Sequence, residues 1–503
     1  MSCFEEAVRA EPGFVPGWLE LARCHEQIGA YNDARMAIAR AARVEDVPPL
    51  VGLAIARFLR RFEEIAALEA YVHRVRLAER LPASRLVELA AFFSSAGEHS
   101  VAVTWIDRVL KAEPSLFEAV NTRGLLHMFA GEFDVAEATF ERALKLRPDA
   151  AVTYSALARL GRANRERNHV DALRRHLKRS GLSASDEAHF SFALHDELHG
   201  MGEVDEAFVA LQRACACKRR LQPYVHDETL QLFDQLRRAA SQRRPSLPVR
   251  GQGPTPIFIV GMHRSGTTLL ERILAGHADV ADAGEVYAFA AQLRVATDHY
   301  FPGVVDRTIA ERLRDVDLAP VGDAYRRAMA RKAQGRRFVT DKLNPNFMLL
   351  GAILGALPDA RVIHLRRDAA DTCFSNLRTQ FTIEAAYSYD QIALADFYAE
   401  YVALMGWWDT VYPGQILHVD YDALVADAAG QARRVADWCG FGYVDEMIQI
   451  ERGAGMVATA SVADVRRGIV ANRGRAWMPY AHHLAPMLER LDARGITWSR
   501  GPL

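Results

Sequence analysis

The chain has 503 residues, 50% of them hydrophobic and 25% charged, with a formal net charge of -1. That length exceeds one ordinary core, so two domains are expected, and the near-zero charge gives no global attraction to nucleic acid. The longest apolar run, near Phe347 to Leu357, is too short to span a bilayer. The six cysteines, Cys3, Cys24, Cys215, Cys217, Cys373 and Cys439, are scattered. They read as reduced thiols of a cytoplasmic protein, not as a disulfide frame or a zinc site. The opening residues, MSCFEEAVRAEPG, lack the basic and apolar regions of a signal peptide.

The first half is self-similar. Gly131, Ala136, Phe140, Ala143 and Pro148 follow the tetratricopeptide pattern. Gly97, Ala102, Ile106, Val109 and Pro114 stand 34 residues earlier, which is the period of that repeat. Trp18, Leu21, Ala22, Ala34, Ile38 and Ala41 make another unit, and Phe4, Ala7 and Pro12 fit the second helix of the unit before it. Gly202, Ala207, Leu211 and Ala214 make a last one. Residues 49–82 and 154–187 keep helical periodicity without most of the signature. A helix pair that cannot bury its own apolar face stacks on its neighbours, so residues 1–220 are expected to form an α solenoid. Its groove suits a peptide or partner protein; equally, the array packs on the next domain or mediates homodimerisation. Over residues 221–255, Leu230, Leu232, Phe233 and Leu236 predict one more helix. Pro245, Pro248, Gly251, Gly253 and Pro254 then mark a linker.

From Pro256 the pattern changes. Ile257, Phe258, Ile259 and Val260 form the short apolar run of a strand buried on both faces. Gly261 to Gly266 make a tight turn, and Leu269, Leu270, Ile273 and Leu274 give a helix from Thr267. Strand, Gly-bounded loop and helix build a phosphate cradle, because the first helical N–H groups lack intrahelical partners and the helix dipole favours an anion there. Gly261 and Gly266 keep the spacing of the nucleotide triphosphatase loop GxxxxGK[ST]. Thr267 stands where that loop has Lys, and Thr268 keeps the hydroxyl place. The cations inside the loop are Arg264 and, if protonated, His263.

The run PIFIVGMHRSGTTL, Pro256 to Leu269, resembles the 5′-phosphosulfate loop of sulfotransferases. It is closest to the tyrosylprotein sulfotransferases and to bacterial proteins with tetratricopeptide repeats fused to a sulfotransferase domain. The resemblance implies the donor 3′-phosphoadenosine 5′-phosphosulfate (PAPS), bound by His263, Arg264, Ser265, Gly266, Thr267 and Thr268. It also implies that Glu285, in Ala281-Asp-Ala-Gly-Glu285, is the general base. A carboxylate with a pKa of about 4.3 cannot deprotonate a resting phenol at about 10, but it can take the proton as the oxygen bonds to sulfur.

Arg337 to Lys342 reads as a second strand, and strand ends are where open α/β sheets place ligands. By resemblance, Lys342 touches the bridging oxygen or the sulfate. Asn344-Pro345 restarts the chain as a helix. Ala360 to Leu365 is a third strand, followed by Arg366, Arg367 and a helix carrying Ser375. This resembles the family's 3′-phosphate site, an Arg at the strand end and a Ser eight residues on. Arg367 and Ser375 fit it, with Arg366 as the alternative. Gln415 to Leu424 is a fourth strand running into a helix, with Tyr421 and Asp422 holding the turn. Thr459 to Arg466 resembles the late loop that returns over the donor, and Ser461 matches the serine that helps stabilise the transferring group. The family's cation before a Trp is replaced by Ala476 before Trp477, which leaves Arg475 as the candidate for the 3′-phosphate.

The expected architecture is an α solenoid over 1–220, a helix and linker over 221–255, and an α/β domain with a mainly parallel sheet over 256–503. The implied activity is metal-free transfer of a sulfuryl group from PAPS to an acceptor hydroxyl, in a peptide, protein or small molecule, with tyrosine suggested by the nearest pattern. The rivals are a P-loop small-molecule kinase, which the missing loop Lys opposes, and a non-catalytic repeat scaffold with a degenerate nucleotide site.

Overall fold

The computed structural model describes residues 1–241, 252–381, 385–450, 469 and 475–499. The repeat region is helical throughout. Its helices are α1 (Ser2–Ala10), α2 (Val15–Gln27), α3 (Tyr31–Ala41), α4 (Pro49–Arg61), α5 (Ile65–Arg74), α6 (Leu77–Arg80), α7 (Ala83–Ser95) and α8 (His99–Ala112). They continue as α9 (Phe117–Ala130), α10 (Phe133–Leu146), α11 (Ala151–Ala158), α12 (Val170–Leu177), α13 (Ala184–Met201) and α14 (Val204–Leu221). The pairs α2–α3, α7–α8, α9–α10 and α13–α14 pack tightly. Ala34, Ala102, Ala136, Phe140, Ala143, Ala207 and Ala214 are fully buried at these contacts. Gly124 shows why small residues are needed: a Cβ there would lie 2.5 Å from the Phe140 ring. Over 154–187, where the signature fades, α11 is only 8 residues long and irregular chain follows it.

The predicted extra helix is α15 (His226–Ser241). Its Phe233 packs edge-on against Phe347 and Phe397, so it adheres to the second domain. That domain carries β1 (Thr255–Val260), α16 (Thr267–Ala275), β2 (Val280–Ala281), α17 (Ala288–Ala296), α18 (Arg307–Arg312), α19 (Ala319–Ala333) and β3 (Phe338–Asp341). After these come α20 (Leu350–Ala356), β4 (Arg361–Arg366), α21 (Ala369–Leu377), α22 (Gln391–Val411), β5 (Ile416–Asp420), α23 (Tyr421–Ala426), α24 (Ala428–Cys439) and α25 (Ala485–Ala493). The helix expected from Asn344 starts as a 3-10 turn, Asn344–Leu349, before α20. The five strands form one parallel sheet in the order β2-β3-β1-β4-β5. β2 escapes sequence patterning because it has two residues.

The alternation in β1 assigns its faces. Ile257 and Ile259 pack under α16 and α24. Phe258 and Val260 face α17, α19 and α22, with Phe258 stacked on Tyr325 at 5.5 Å. This second core is continuous with the repeats from Phe117 onward. The solenoid therefore packs on the α/β domain, and it does so at both ends. Near its start, the Asn32 N–H donates to Asp298 at 2.7 Å. Near its end, Lys218 donates to the Phe381 carbonyl at 2.8 Å and Arg378 pairs with Asp196 at 3.3 Å. All six cysteines are free thiols. No helix among the described residues is long and apolar enough to cross a membrane.

Candidate active site

Parallel strands bring their carboxyl ends to one edge, and the chain order reverses about β1. Ligands bind at such edges in open α/β sheets. The edge gathers the 261–266 loop after β1, Gly284 and Glu285 after β2, and Lys342 after β3. Arg367 follows β4, and Tyr421 follows β5.

The loop is held from several sides. Gly266 caps α16 at φ +101 without any side-chain cap, a conformation that side-chain-bearing residues rarely adopt. A Cβ at Gly266 would also lie 2.4 Å from the Tyr421 ring, and one at Gly261 would lie 2.6 Å from the Leu365 carbonyl. Asn344 accepts from the Thr267 hydroxyl at 3.2 Å and donates to the Met262 carbonyl at 2.8 Å, while Asn376 donates to the His263 carbonyl at 2.7 Å. Thr267 and Thr268 are buried. Arg264, at φ +67, donates through Nε to the Ser375 hydroxyl at 3.1 Å. Arg367 reaches the Arg264 carbonyl at 3.4 Å, and its guanidinium lies over the Tyr421 ring at 4.8 Å. Arg264, Ser375 and Arg367 are thus brought together. Arg366, the alternative, is exposed and pairs with Asp420 at 3.0 Å. Two buried polar atoms beside the loop, Ser265 Oγ and Arg367 Nε, have no hydrogen-bond partner among the described residues. Such atoms are costly unless a ligand or water satisfies them.

Glu285 and Lys342 meet. Lys342 Nζ donates to Glu285 Oε1 at 2.6 Å; the lysine side chain is fully buried and the carboxylate is 44% exposed. The turn before Glu285 is pinned by Lys342 N–H to the Gly284 carbonyl at 3.0 Å and by Gly284 N–H to Glu271 at 3.0 Å. Glu271 also accepts from the Thr340 hydroxyl at 2.8 Å. Burial pushes the Glu271 carboxyl upward, and the Lys342 charge opposes that shift.

Several findings correct or extend the sequence reading. Burial pushes the His263 imidazole down to about 4, and its Nδ1 faces the Tyr387 hydroxyl at 3.0 Å. It is therefore neutral at pH 7 and adds no cation to the loop. Arg475 reaches the site's rim through its backbone, whose N–H donates to Asp371 at 2.6 Å, while its side chain is exposed. Trp477 is buried, edge-on to Trp498. Ser461 lies outside the described residues. Glu271 and the loop-facing role of Tyr421 were not anticipated. The one sequence hint for Glu271 is a charged residue within the apolar pattern of α16. The fold also brings Asp205, His482 and His483 within 4.8 Å of one another at the surface, a grouping invisible across 277 residues of sequence.

Beneath this edge, Asp341 is buried between the Tyr325 hydroxyl and the Asn346 amide, each at 3.0 Å. Burial pushes its carboxyl up to about 8. The folded chain therefore holds a proton that the unfolded chain releases near pH 3.9. Stability from this group is full below about pH 4 and is lost as pH rises to about 8. An Asp341→Asn variant should lack that decline. Its melting temperature relative to wild type should climb between pH 5 and 8; parallel pH profiles would contradict this.

Residues 256–445 match the model of the sulfotransferase family, and residues 117–150 match a tetratricopeptide repeat. Residues 117–150 thus carry a tetratricopeptide repeat, and residues 256–445 a sulfotransferase-family domain. An uncharacterized protein of Aquifex aeolicus (strain VF5) is 25% identical over 387 residues, 73% of this chain and 49% of its own length. The chain thus spans about half the length of the curated relative it matches. Among solved structures, the sulfotransferase domain from the curacin biosynthetic pathway is similar at 16% identity, covering 47% of this chain and 99% of that one, with a TM-score of 0.29. A sulfotransferase from Mycobacterium tuberculosis H37Rv is similar at 15% identity over 62% of this chain and 96% of that one, also with a TM-score of 0.29.

Proposed function

We propose that this tetratricopeptide-repeat sulfotransferase uses PAPS as donor and a peptide or protein tyrosine as acceptor. The observation that carries the reading is the meeting of two unlike groups on one sheet edge. One is the Glu285–Lys342 pair at 2.6 Å. The other is a phosphate loop whose Arg264 is tied to Ser375 at 3.1 Å beside Arg367. The residues fit such a donor. The loop and Thr268 suit its 5′ end, and Arg367 with Ser375 suits a 3′-phosphate. The unpartnered Ser265 Oγ and Arg367 Nε are the donors a bound phosphate would satisfy. Thr267, buried and bonded to Asn344, stands where a triphosphatase loop has its lysine.

PAPS supplies an activated sulfuryl group, whose S–O bond to the 5′-phosphate breaks as the bond to the acceptor oxygen forms. Glu285 takes the acceptor proton, and Lys342 and Arg264 neutralise the charge that develops on the phosphate side. The protein mainly positions and neutralises, as in phosphoryl transfer.

Adenosine 3′,5′-bisphosphate at about 100 times its Kd should add roughly 2.7 kcal/mol of stability, read as a thermal shift, whereas ATP and adenosine 5′-phosphate should give less. A shift with ATP alone would favour a kinase, and no shift with any would favour a scaffold. Arg367→Ala should weaken adenosine 3′,5′-bisphosphate at least tenfold more than adenosine 5′-phosphate in calorimetry. Equal losses would move the 3′-phosphate site elsewhere.

A further inference from the structure

A cavity of about 760 Å³ lies between the repeats and the α/β domain, and Glu285 lines it. Lys342 is fully buried behind Glu285, whose carboxylate is 44% exposed, so an acceptor approaching the pair from this side enters through the cavity. The opposite wall belongs to the solenoid. Ala91 and Ser94 of α7, and Thr122, Leu125 and Phe129 of α9, line it. Their spacings of three, and of three then four, place each set on a single helix face. The wall is fixed to the α/β domain at its rim. Lys332 donates to the Ala96 carbonyl at 2.9 Å, and Arg331 pairs with Glu69 and, at 3.3 Å, with Glu98.

We infer that the acceptor site is composite: the α/β domain supplies the base, and the repeat helices α7 and α9 supply the surface that selects the acceptor. This rests on the transferase reading above. The volume is that of a site for a ligand larger than a lone phenol. Leu125 and Phe129 on the repeat side, and Val286 and Tyr287 beside Glu285, give the cavity an apolar part. The basic groups Arg331 and Lys332 at the rim have repeat partners, and the Leu125–Phe129 stretch of the wall offers an apolar residue a place to pack. The occupant that fits is a peptide segment presenting a tyrosine hydroxyl to Glu285, with an apolar residue beside it packed on Leu125 and Phe129.

The test uses the full chain, radiolabelled PAPS and two peptides, acetyl-Ala-Leu-Tyr-Leu-Ala-amide and acetyl-Ala-Gly-Tyr-Gly-Ala-amide. The wild type should prefer the leucine-flanked peptide at least tenfold in kcat/KM. Leu125→Arg should abolish that preference, and Thr122→Trp, at a half-buried position that tolerates a larger side chain more easily, should lower kcat/KM for the leucine-flanked peptide at least tenfold. Both variants should keep the wild-type thermal shift with adenosine 3′,5′-bisphosphate, which also shows that they fold. Val152→Arg, exposed on α11, serves as the control and should match wild type. Unchanged kcat/KM and flank preference in both wall variants would overturn the composite site while leaving the transferase reading intact. A normal bisphosphate shift with transfer to p-nitrophenol but to neither peptide would overturn the peptide occupant. Absence of the bisphosphate shift in the wild type would instead overturn the transferase reading on which the inference rests.

Discussion

A Glu285→Gln variant is expected to lose sulfuryl transfer by about 100- to 10,000-fold, the usual contribution of a positioned general base. Its thermal shift with adenosine 3′,5′-bisphosphate should stay that of the wild type. The substitution keeps the side-chain shape and an oxygen that can accept from Lys342, at present 2.6 Å away. It removes the ability to take a proton. The backbone around it does not depend on the carboxylate, because Gly284 is held by the Lys342 N–H and by Glu271. The loss should therefore appear in kcat under saturating PAPS and not in donor affinity. Transfer within a few-fold of wild type would remove Glu285 from the base role. Loss of bisphosphate binding would show that the residue supports the donor site instead.

The 261–266 loop and its neighbours were more legible in the sequence than the cavity wall beside Glu285, and the reason is local geometry. The loop after β1 joins Gly261, Gly266 and a strand-to-helix switch within a dozen residues, so its pattern is continuous. Arg367 and Ser375 are likewise bound by one strand end and one helix. The repeats are legible because residues such as Gly124 and Phe140 meet within one helix pair, and the signature recurs with the unit. What joins distant segments left no pattern. The Glu271 carboxylate that braces the 283–285 turn reads as one charge in an amphipathic helix. Tyr421 reads as a turn residue, although its ring closes the face of Gly266. The neutrality of His263 depends on burial against Tyr387 and Phe381, elements more than a hundred residues away. The wall of α7 and α9 facing Glu285 exists only because the solenoid folds back onto the α/β domain.

Lys342→Met should reduce transfer at least about 100-fold, the cost of removing one preorganised charge stabiliser. The ammonium is fully buried beside Glu285, and its charge also opposes the upward shift of Glu271. Removing it leaves two carboxylates near one edge without their common cation. Two roles are then separable. If Lys342 only holds Glu285 in place, the Glu285→Gln, Lys342→Met double variant should transfer no more slowly than Glu285→Gln. If Lys342 also neutralises charge at the breaking S–O bond, the double variant should be slower by a further tenfold or more, because the two groups then act on different atoms. The second outcome is expected. Lys342 follows β3, which pairs directly with the strand that carries the loop, whereas Glu285 follows β2 at the sheet's edge and lines the cavity. The lysine therefore stands between the loop and the carboxylate, where a charge on the leaving phosphate would develop. Single-turnover rates of the three variants with saturating PAPS measure the difference, and a double variant no slower than Glu285→Gln would reduce Lys342 to a positioning residue.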